Sequence, residues 1–333
     1  MDKEVRLLVV GSLVMEMTVN TKRFPGTGET VLGTDFHMAP GGKGANQALQ
    51  AARLGAKVTM IGRVGGDIFG QELLKPLKQA GVAVEHITVD DSSYTAVGSI
   101  VLEETPDGKV HNRIIVAPGA NMNVRPSDIS FLEKEISVYD MVLLQLEIPL
   151  EVNEAVARIA KRAGVPVMLN PAPSAALSDS FILNLTFISP NEHEVADLTG
   201  IQIRRGEDGS VVLSDAKAAA DALLARGVKN VIITLGGSGA VFASASEFIF
   251  EPAETSVELL DPTAAGDSFV GSFCTAYCRG MSVREAMVFG NCAAAITVSG
   301  KGAQPSLPHK QAVDLIIRDR MRRLSILKEI SHA

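Results

Sequence analysis

The chain has no tryptophan, and only three tyrosines and three cysteines, in 333 residues. Cys274, Cys278 and Cys292 all lie in apolar, helix-forming sequence without metal-ligand spacing or a nearby histidine. That pattern excludes a disulfide framework and a thiolate metal site, and it reads as buried, reduced thiols. No apolar run reaches the length of a membrane span. The N-terminus, Met1-Asp2-Lys3-Glu4-Val5-Arg6, is charged and leads into four apolar residues, Leu7 to Val10, too few for a secretion-signal core. With a formal charge of -7 and no dense Lys/Arg block ahead of the C-terminus, nucleic-acid binding has no electrostatic support. These absences together point to a soluble, cytoplasmic protein with neither a membrane nor a nucleic acid as partner.

Two nucleotide-binding fingerprints are also missing. No G-x-G-x-x-G follows the first strand, which argues against a dinucleotide-binding oxidoreductase. The glycine-rich stretch Gly41-Gly42-Lys43-Gly44-Ala45-Asn46 is not a Walker A loop either, because no Ser/Thr for Mg²⁺ follows the lysine.

What is present is ordinary globular material, 46% hydrophobic and 21% charged, enough for one large α/β domain over residues 1–333. The run Arg6–Val10 before Gly11-Ser12 reads as a buried parallel strand. Strands are expected at 58–61, 84–88, 141–144, 165–169, 187–189 and 230–234. Helices are expected at 45–54, 69–80, 152–163, 192–198 and 215–225. Such alternation predicts a doubly wound, mostly parallel sheet. Two stretches break it, at about 13–40 and 92–121. In the first, Glu16–Asn20 and Glu29–Gly33 alternate like antiparallel strands; in the second, Val97–Leu102 and Arg113–Val116 flank the turn Thr105-Pro106-Asp107-Gly108. Paired, these insertions form a small β-sheet lid. The C-terminal run Arg318-Asp319-Arg320-Met321-Arg322-Arg323 reads as a solvated helical face.

Chemistry concentrates where strand-to-helix loops gather. In Asp261-Pro262-Thr263-Ala264-Ala265-Gly266-Asp267, small residues sit where an apolar helix begins. The amides of Ala264, Ala265 and Gly266 can face an anion there, assisted by the helix dipole. Asp267 beside such a cradle can take the proton from an attacking hydroxyl. Lys43 and Asn46 offer donors in the first glycine-rich loop. Taken singly, each feature has a plain structural reading. Asp267 is a common first-turn acid, Asn191 after Pro190 an ordinary cap, Asp261 a turn acid and Glu147 a surface acid. Thr234-Leu235-Gly236-Gly237 reads equally as a strand running into a glycine turn. His111, in the lid, and His193, on a helix surface, are given no chemical role.

Taken in order, the segments resemble the ribokinase-like (PfkB) carbohydrate kinases. The first signature is Gly42-x-Gly44-x-Asn46-x-Ala48 with Gly55 and Gly65, and the second is Asp261 to Asp267. Leu144–Glu147, Leu169–Pro173, Pro190–Glu192, Ile233–Gly236 and Lys301–Ser306 also match, so the resemblance covers residues 7–308. It implies an ATP-dependent kinase acting on the primary hydroxyl of a pentose. Asp267 would be the base and Ala264, Ala265 and Gly266 the anion hole. Gly42, Lys43, Asn46 and Glu147 would bind the sugar. Thr234, Leu235, Gly236, Gly237 and Gly239, with Asn191, Asn291 and Gly266, would hold ATP. Asn191 and Glu194 would organise Mg²⁺ through water. A K⁺ ion would sit behind the anion hole on Asp261, Thr263, Thr297, Gly300, Gly302 and Ser306. A homodimer through the lid is also implied.

One departure stands out. Where the family commonly has Asn-x-Asp after the first strand, this chain has Val14-Met15-Glu16. Val14 cannot hydrogen-bond, and a hydroxyl facing it would lose about 1–3 kcal/mol of solvation unanswered. That makes 2-deoxyribose an expected substrate beside ribose, and leaves open a nucleoside kinase of the same fold or a catalytically degenerate sugar sensor.

Overall fold

The computed structural model describes residues 3–104 and 110–331; the turn expected at Thr105-Pro106-Asp107-Gly108 lies outside them. The strands are β1 (Arg6–Val10), β2 (Val14–Thr21), β3 (Asp35–Gly41), β4 (Lys57–Gly65), β5 (Ala83–Asp90), β6 (Ala96–Glu104) and β7 (Val110–Ala117) in the first part of the chain. They continue as β8 (Met141–Leu144), β9 (Val167–Leu169), β10 (Phe187–Ile188), β11 (Asn230–Thr234), β12 (Gly239–Ser244) and β13 (Phe248–Pro252). The helices are α1 (Lys43–Arg53), α2 (Ile68–Gln79), α3 (Leu132–Glu135), α4 (Leu150–Arg162), α5 (Asp179–Ile182) and α6 (Glu192–Thr199). After them come α7 (Leu213–Ala225), α8 (Ala265–Cys278), α9 (Val283–Val298), α10 (Ala303–Ser306) and α11 (Lys310–Ser331).

The main sheet runs β13-β12-β11-β10-β9-β8-β1-β4-β5, parallel from β11 to β5, with β12 and β13 antiparallel at one edge. Strand β1 shows how both faces are covered. Leu7 and Val9 enter one apolar cluster with residues of α1, α2, α8, α9 and α11; Leu8 and Val10 enter another with α4, α5, α6 and α7. Two-sided burial explains why β1 is a continuous apolar run rather than an alternating one. After β1 the main sheet grows one way through β4 and β5, and from β8 it grows the other way. The strand order therefore reverses between β1 and β8, and ligand crevices of open α/β sheets form outside the carboxyl ends at such a point.

The two irregular stretches meet in a second sheet, ordered β3-β2-β6-β7, with β2–β3 and β6–β7 antiparallel and β2–β6 parallel. One expected strand is corrected. Residues Glu29–Gly33 form no strand; β3 starts at Asp35. The Glu29 carboxylate instead accepts the Gly26 N–H and the Arg23 guanidinium, which closes a turn and diverts that segment from pairing. The solvated reading of 318–323 holds for Arg318, Asp319, Met321, Arg322 and Arg323, which are exposed, but not for Arg320. Arg320 is only 8% exposed and ion-pairs with Glu251 at 2.7 Å, while Arg323 holds Glu254 at 2.7 Å. Three buried free cysteines complete the core, and among the described residues no helix is long and apolar enough to cross a membrane.

Candidate active site

At the reversal, the loops after β1 and β8 are bound to the start of α1. Ser12 Oγ donates to Glu147 Oε2, which also accepts the Lys43 N–H at 3.1 Å, and Gly44 N–H donates to Ser12 Oγ at 3.2 Å. A carboxylate from another loop thus caps the positive end of α1. Such proximity demands glycine. Gly42 adopts φ 91°, and a Cβ on Gly44 would stand 2.5 Å from the Ser12 nitrogen.

Helix α1 then sends two side chains across the crevice to the first turn of α8. Asn46 Nδ2 donates to Asp267 Oδ2, and Gln47 Nε2 donates to Asp267 Oδ1, each at 2.9 Å. Burial pushes the Asp267 carboxyl up from its ordinary value, against the opposing pull of Lys43 and the two amide donors. Burial alone would lower Lys43, but Asp267, Glu147, Glu194 and Glu16 outweigh it and raise the lysine. Burial, then the negative charges of Asp267, Glu147 and Asp261, lift Glu16 to about 7. The site is a dense group of acids around one ammonium.

The entry to α8 is strained where it matters. Ala264 has φ 60°, the one non-glycine positive φ among the described residues. Ala265 N–H donates to Pro262 O at 3.3 Å and Ser268 N–H to Ala264 O at 2.8 Å. Among the described residues, the N–H groups of Ala264, Gly266 and Asp267 meet no acceptor. The open amides are therefore these three, whereas the expected Ala265 N–H is engaged with the Pro262 carbonyl. They lie at a helix N-terminus, where an anion is favoured.

A cavity of about 200 Å³ opens here, lined by Lys43, Asn191, Glu194, Thr234 and the run Ala264 to Asp267 among others. Asn191 caps α6 by accepting from His193 N–H and Glu194 N–H, and the Glu194 carboxylate accepts the Asn191 N–H in return. The plain capping role is real, yet both residues also face the cavity. Burial raises the Glu194 carboxyl. Thr234 N–H donates to Pro190 O, which sets the strand end against that cap. Beyond it Leu235 is buried, Gly236 and Gly239 have positive φ, and Gly237 has open space around it. Arg205 braces this loop, bonding Ser238 Oγ, Leu235 O and Glu192.

Other expected residues stand off the cavity wall. Val14, 5% exposed, and Glu16 share one face of β2, and a Cβ at Gly98 would touch both. Asn291 donates to the carbonyls of Glu251 and Pro252, so its amide group is engaged with β13. The Asp261 carboxylate joins two loops, accepting Thr263 N–H at 2.9 Å and Gly302 N–H at 2.8 Å. A Cβ on Gly300 would lie 2.8 Å from Ser306 Cβ and 3.7 Å from Thr297 O, so Thr297, Gly300 and Ser306 converge. His111 and His193 are exposed. Gln47, Gln145 and Asn170, which the motifs did not single out, are linked by hydrogen bonds through Gln47, which also bonds Asp267. The one signal was a second amide, Gln47, directly after Asn46 on a helix that is buried from Gly44 to Ala51.

The chain belongs to the pfkB family of carbohydrate kinases, phosphotransferases acting on an alcohol, whose sequence model matches residues 5–310. It is 39% identical over 317 residues to the ribokinase of Schizosaccharomyces pombe, covering 93% of this chain and 97% of that one. It is 32% identical over 303 residues to the deoxyribokinase of Salmonella typhi, covering 91% and 95% respectively. Among solved structures, Arabidopsis thaliana ribokinase complexed with ribose and ATP superposes with a TM-score of 0.82 at 31% identity, over 94% of this chain and 99% of that chain.

Proposed function

We propose that this chain is a single kinase domain that transfers the γ-phosphoryl group of ATP to the primary (5-) hydroxyl of a pentose, ribose or 2-deoxyribose. The observation that carries this reading is Asp267, a buried carboxylate in the same helix turn as three amides without acceptors. The relatives named ribokinase and deoxyribokinase, and the ribose and ATP in the plant enzyme, support the substrate class. Asp267 takes the proton of the attacking hydroxyl. The N–H groups of Ala264 and Gly266, with Lys43, offset charge developing on the transferred group. Gly42, Lys43, Asn46 and Glu147 hold the sugar. The loop Thr234–Gly239, with Asn191 and Asn291, lies along the nucleotide. Residues 13–40 and 92–121 act as the lid that excludes water, and its strands pair two copies into a homodimer.

The donors suit both cations that the family resemblance implies. Glu194, whose Oε2 is engaged with Asn191 N–H, faces the cavity and fits an outer position around Mg²⁺, which when bound would neutralise phosphate charge. Asp261, Thr263, Thr297, Gly300, Gly302 and Ser306 supply only oxygen, as a hard monovalent cation such as K⁺ requires. Their part in the reaction is to hold the loop leading into the amide cradle.

Replacement Asp267→Asn tests the assignment. Turnover should fall by roughly 10²–10⁴-fold while ATP binding stays measurable by titration; retained turnover would remove Asp267 from the chemistry. Val14, apolar and buried, favours a second reading, a nucleoside acceptor. Kinetics with ribose, 2-deoxyribose, fructose and nucleosides separate the two, and a nucleoside turned over while every pentose stays inert refutes the pentose assignment. Sugar binding without turnover of any acceptor points instead to a sensor.

A further inference from the structure

We propose that Gln47 is a positioning residue for the catalytic base, holding the Asp267 carboxylate in its reactive orientation through amides anchored at the carboxyl ends of β8, β9 and β10. The inference rests on Asp267 being the base.

Gln47 is fully buried and does not line the cavity, so it reaches substrate only through other groups. Every polar atom of its side chain is engaged. Its Oε1 accepts from Gln145 Nε2 at 2.7 Å, which forces its NH₂ group to face the other way. That NH₂ group donates to Asp267 Oδ1 at 2.9 Å and Asn170 Oδ1 at 3.2 Å. The anchors are themselves fixed. Asn170 Nδ2 donates to the backbone carbonyl of Ser189, and the backbone carbonyl of Gln145 accepts from Asn153 Nδ2, both at 2.9 Å. Gln145 follows β8, Asn170 follows β9 and Ser189 follows β10, so the amide is held by three adjacent strands of the rigid sheet. The other Asp267 oxygen is held by Asn46, whose Oδ1 is buried and unpartnered and so remains available to a substrate hydroxyl.

A buried carboxylate needs donors to remain ionised, and a base needs one lone pair left aimed at its proton source. Gln47 meets the first need on Oδ1 without adding charge. Its bond lowers the Asp267 carboxyl against the burial that raises it. The charged groups around Asp267 are Lys43 from α1, Glu147 from the loop after β8, Glu16 from β2 and Glu194 from α6. None of these is touched by replacing Gln47 with a neutral side chain, so a shift in the Asp267 carboxyl comes from the lost amide bonds and not from a changed charge.

The test compares pH profiles of kcat/KM for the wild type, Gln47→Met and Gln145→Met, with ATP and the pentose varied separately. Methionine nearly preserves the volume. For Gln47→Met the acid limb should move up by about one pH unit, a tenfold gain in proton affinity of the base. Its kcat should drop at least tenfold at neutral pH while KM for ATP stays within twofold. Gln145→Met, one step removed, should shift the limb the same way by less, and it serves as the second measurement if Gln47→Met folds poorly. A Gln47→Met profile that overlies the wild type, with only stability reduced, would overturn the proposal and leave Gln47 a packing residue. The two readings fail differently: turnover retained in Asp267→Asn removes the base, whereas an inactive Asp267→Asn with an unshifted Gln47→Met removes only the positioning role.

Discussion

Replacing Glu16 by glutamine should stabilise the protein, and only above about pH 4.5. Glu16 ends on the catalytic side of β2, surrounded by Asp267, Glu147 and Asp261, and its carboxyl is raised from 4.5 to about 7 by burial first and these charges second. Its folded-state proton affinity therefore exceeds that of the unfolded chain. Proton binding contributes its full stabilisation below about pH 4.5, and that contribution is lost as pH rises through 7. At about 1.4 kcal/mol per pH unit, the difference of roughly 2.5 units corresponds to at most about 3.5 kcal/mol at pH 8. Glutamine mimics the protonated form at every pH, so it escapes the loss. Urea or guanidinium titrations of wild type and Glu16→Gln at pH 4.5 and pH 8 check this. The two proteins should match at the lower pH and differ by up to about 3.5 kcal/mol at the higher one. A difference independent of pH would show that Glu16 is not titrating in that window and that the acid cluster exerts no such pressure. The expected result would also mean that stability is sacrificed to keep a fourth acid beside the sugar loop, as strained functional sites do.

Other outcomes follow from the same geometry. Val14→Asn places an amide opposite the proposed sugar, and one new hydrogen bond of about 0.5–1.5 kcal/mol should raise the ribose to 2-deoxyribose ratio of kcat/KM roughly 2- to 13-fold; an unchanged ratio would place Val14 away from the distinguishing hydroxyl. Ala264→Val puts a β-branched residue at φ 60°. It should distort the amide cradle and cut kcat by about 10²–10³-fold with circular dichroism unchanged, and a wild-type kcat would disprove the cradle's role. Arg320→Met leaves Glu251 and Glu254 buried with one cation each, Arg284 and Arg323. The loss should be about 3 kcal/mol, read as a lowered thermal midpoint, and a midpoint equal to wild type would refute it. Asp261→Ala frees Thr263 N–H and Gly302 N–H, and it should abolish stimulation of turnover by K⁺ over choline. Persistence of that stimulation would move the cation elsewhere.

The doubly wound sheet was legible in the residues alone. Its buried strands are short apolar runs, and β1, β8 and β11 stand at the residues that periodicity assigned to them. The sequence also marked the small-residue turn before α8 and the order of the loops, because both are local in the chain. It misplaced β3, since alternation at Glu29–Gly33 is outweighed by an Arg23–Glu29 pair that closes a turn. It took Arg320 for solvated because charge reads as exposure until a partner such as Glu251 is brought in from 69 residues away. Only the tertiary structure decided which amides at Asp261–Asp267 are open, and that Glu147 caps α1. It alone decided that Asp267 is held by Gln47, 220 residues earlier in the chain. Periodicity reports which face of an element is apolar; it carries no information on which distant polar groups meet. Those meetings are set by the strand order, whose reversal between β1 and β8 brings the loops of Gly42–Gln47 and Gln145–Glu147 to the same carboxyl edge as the turn carrying Asp267.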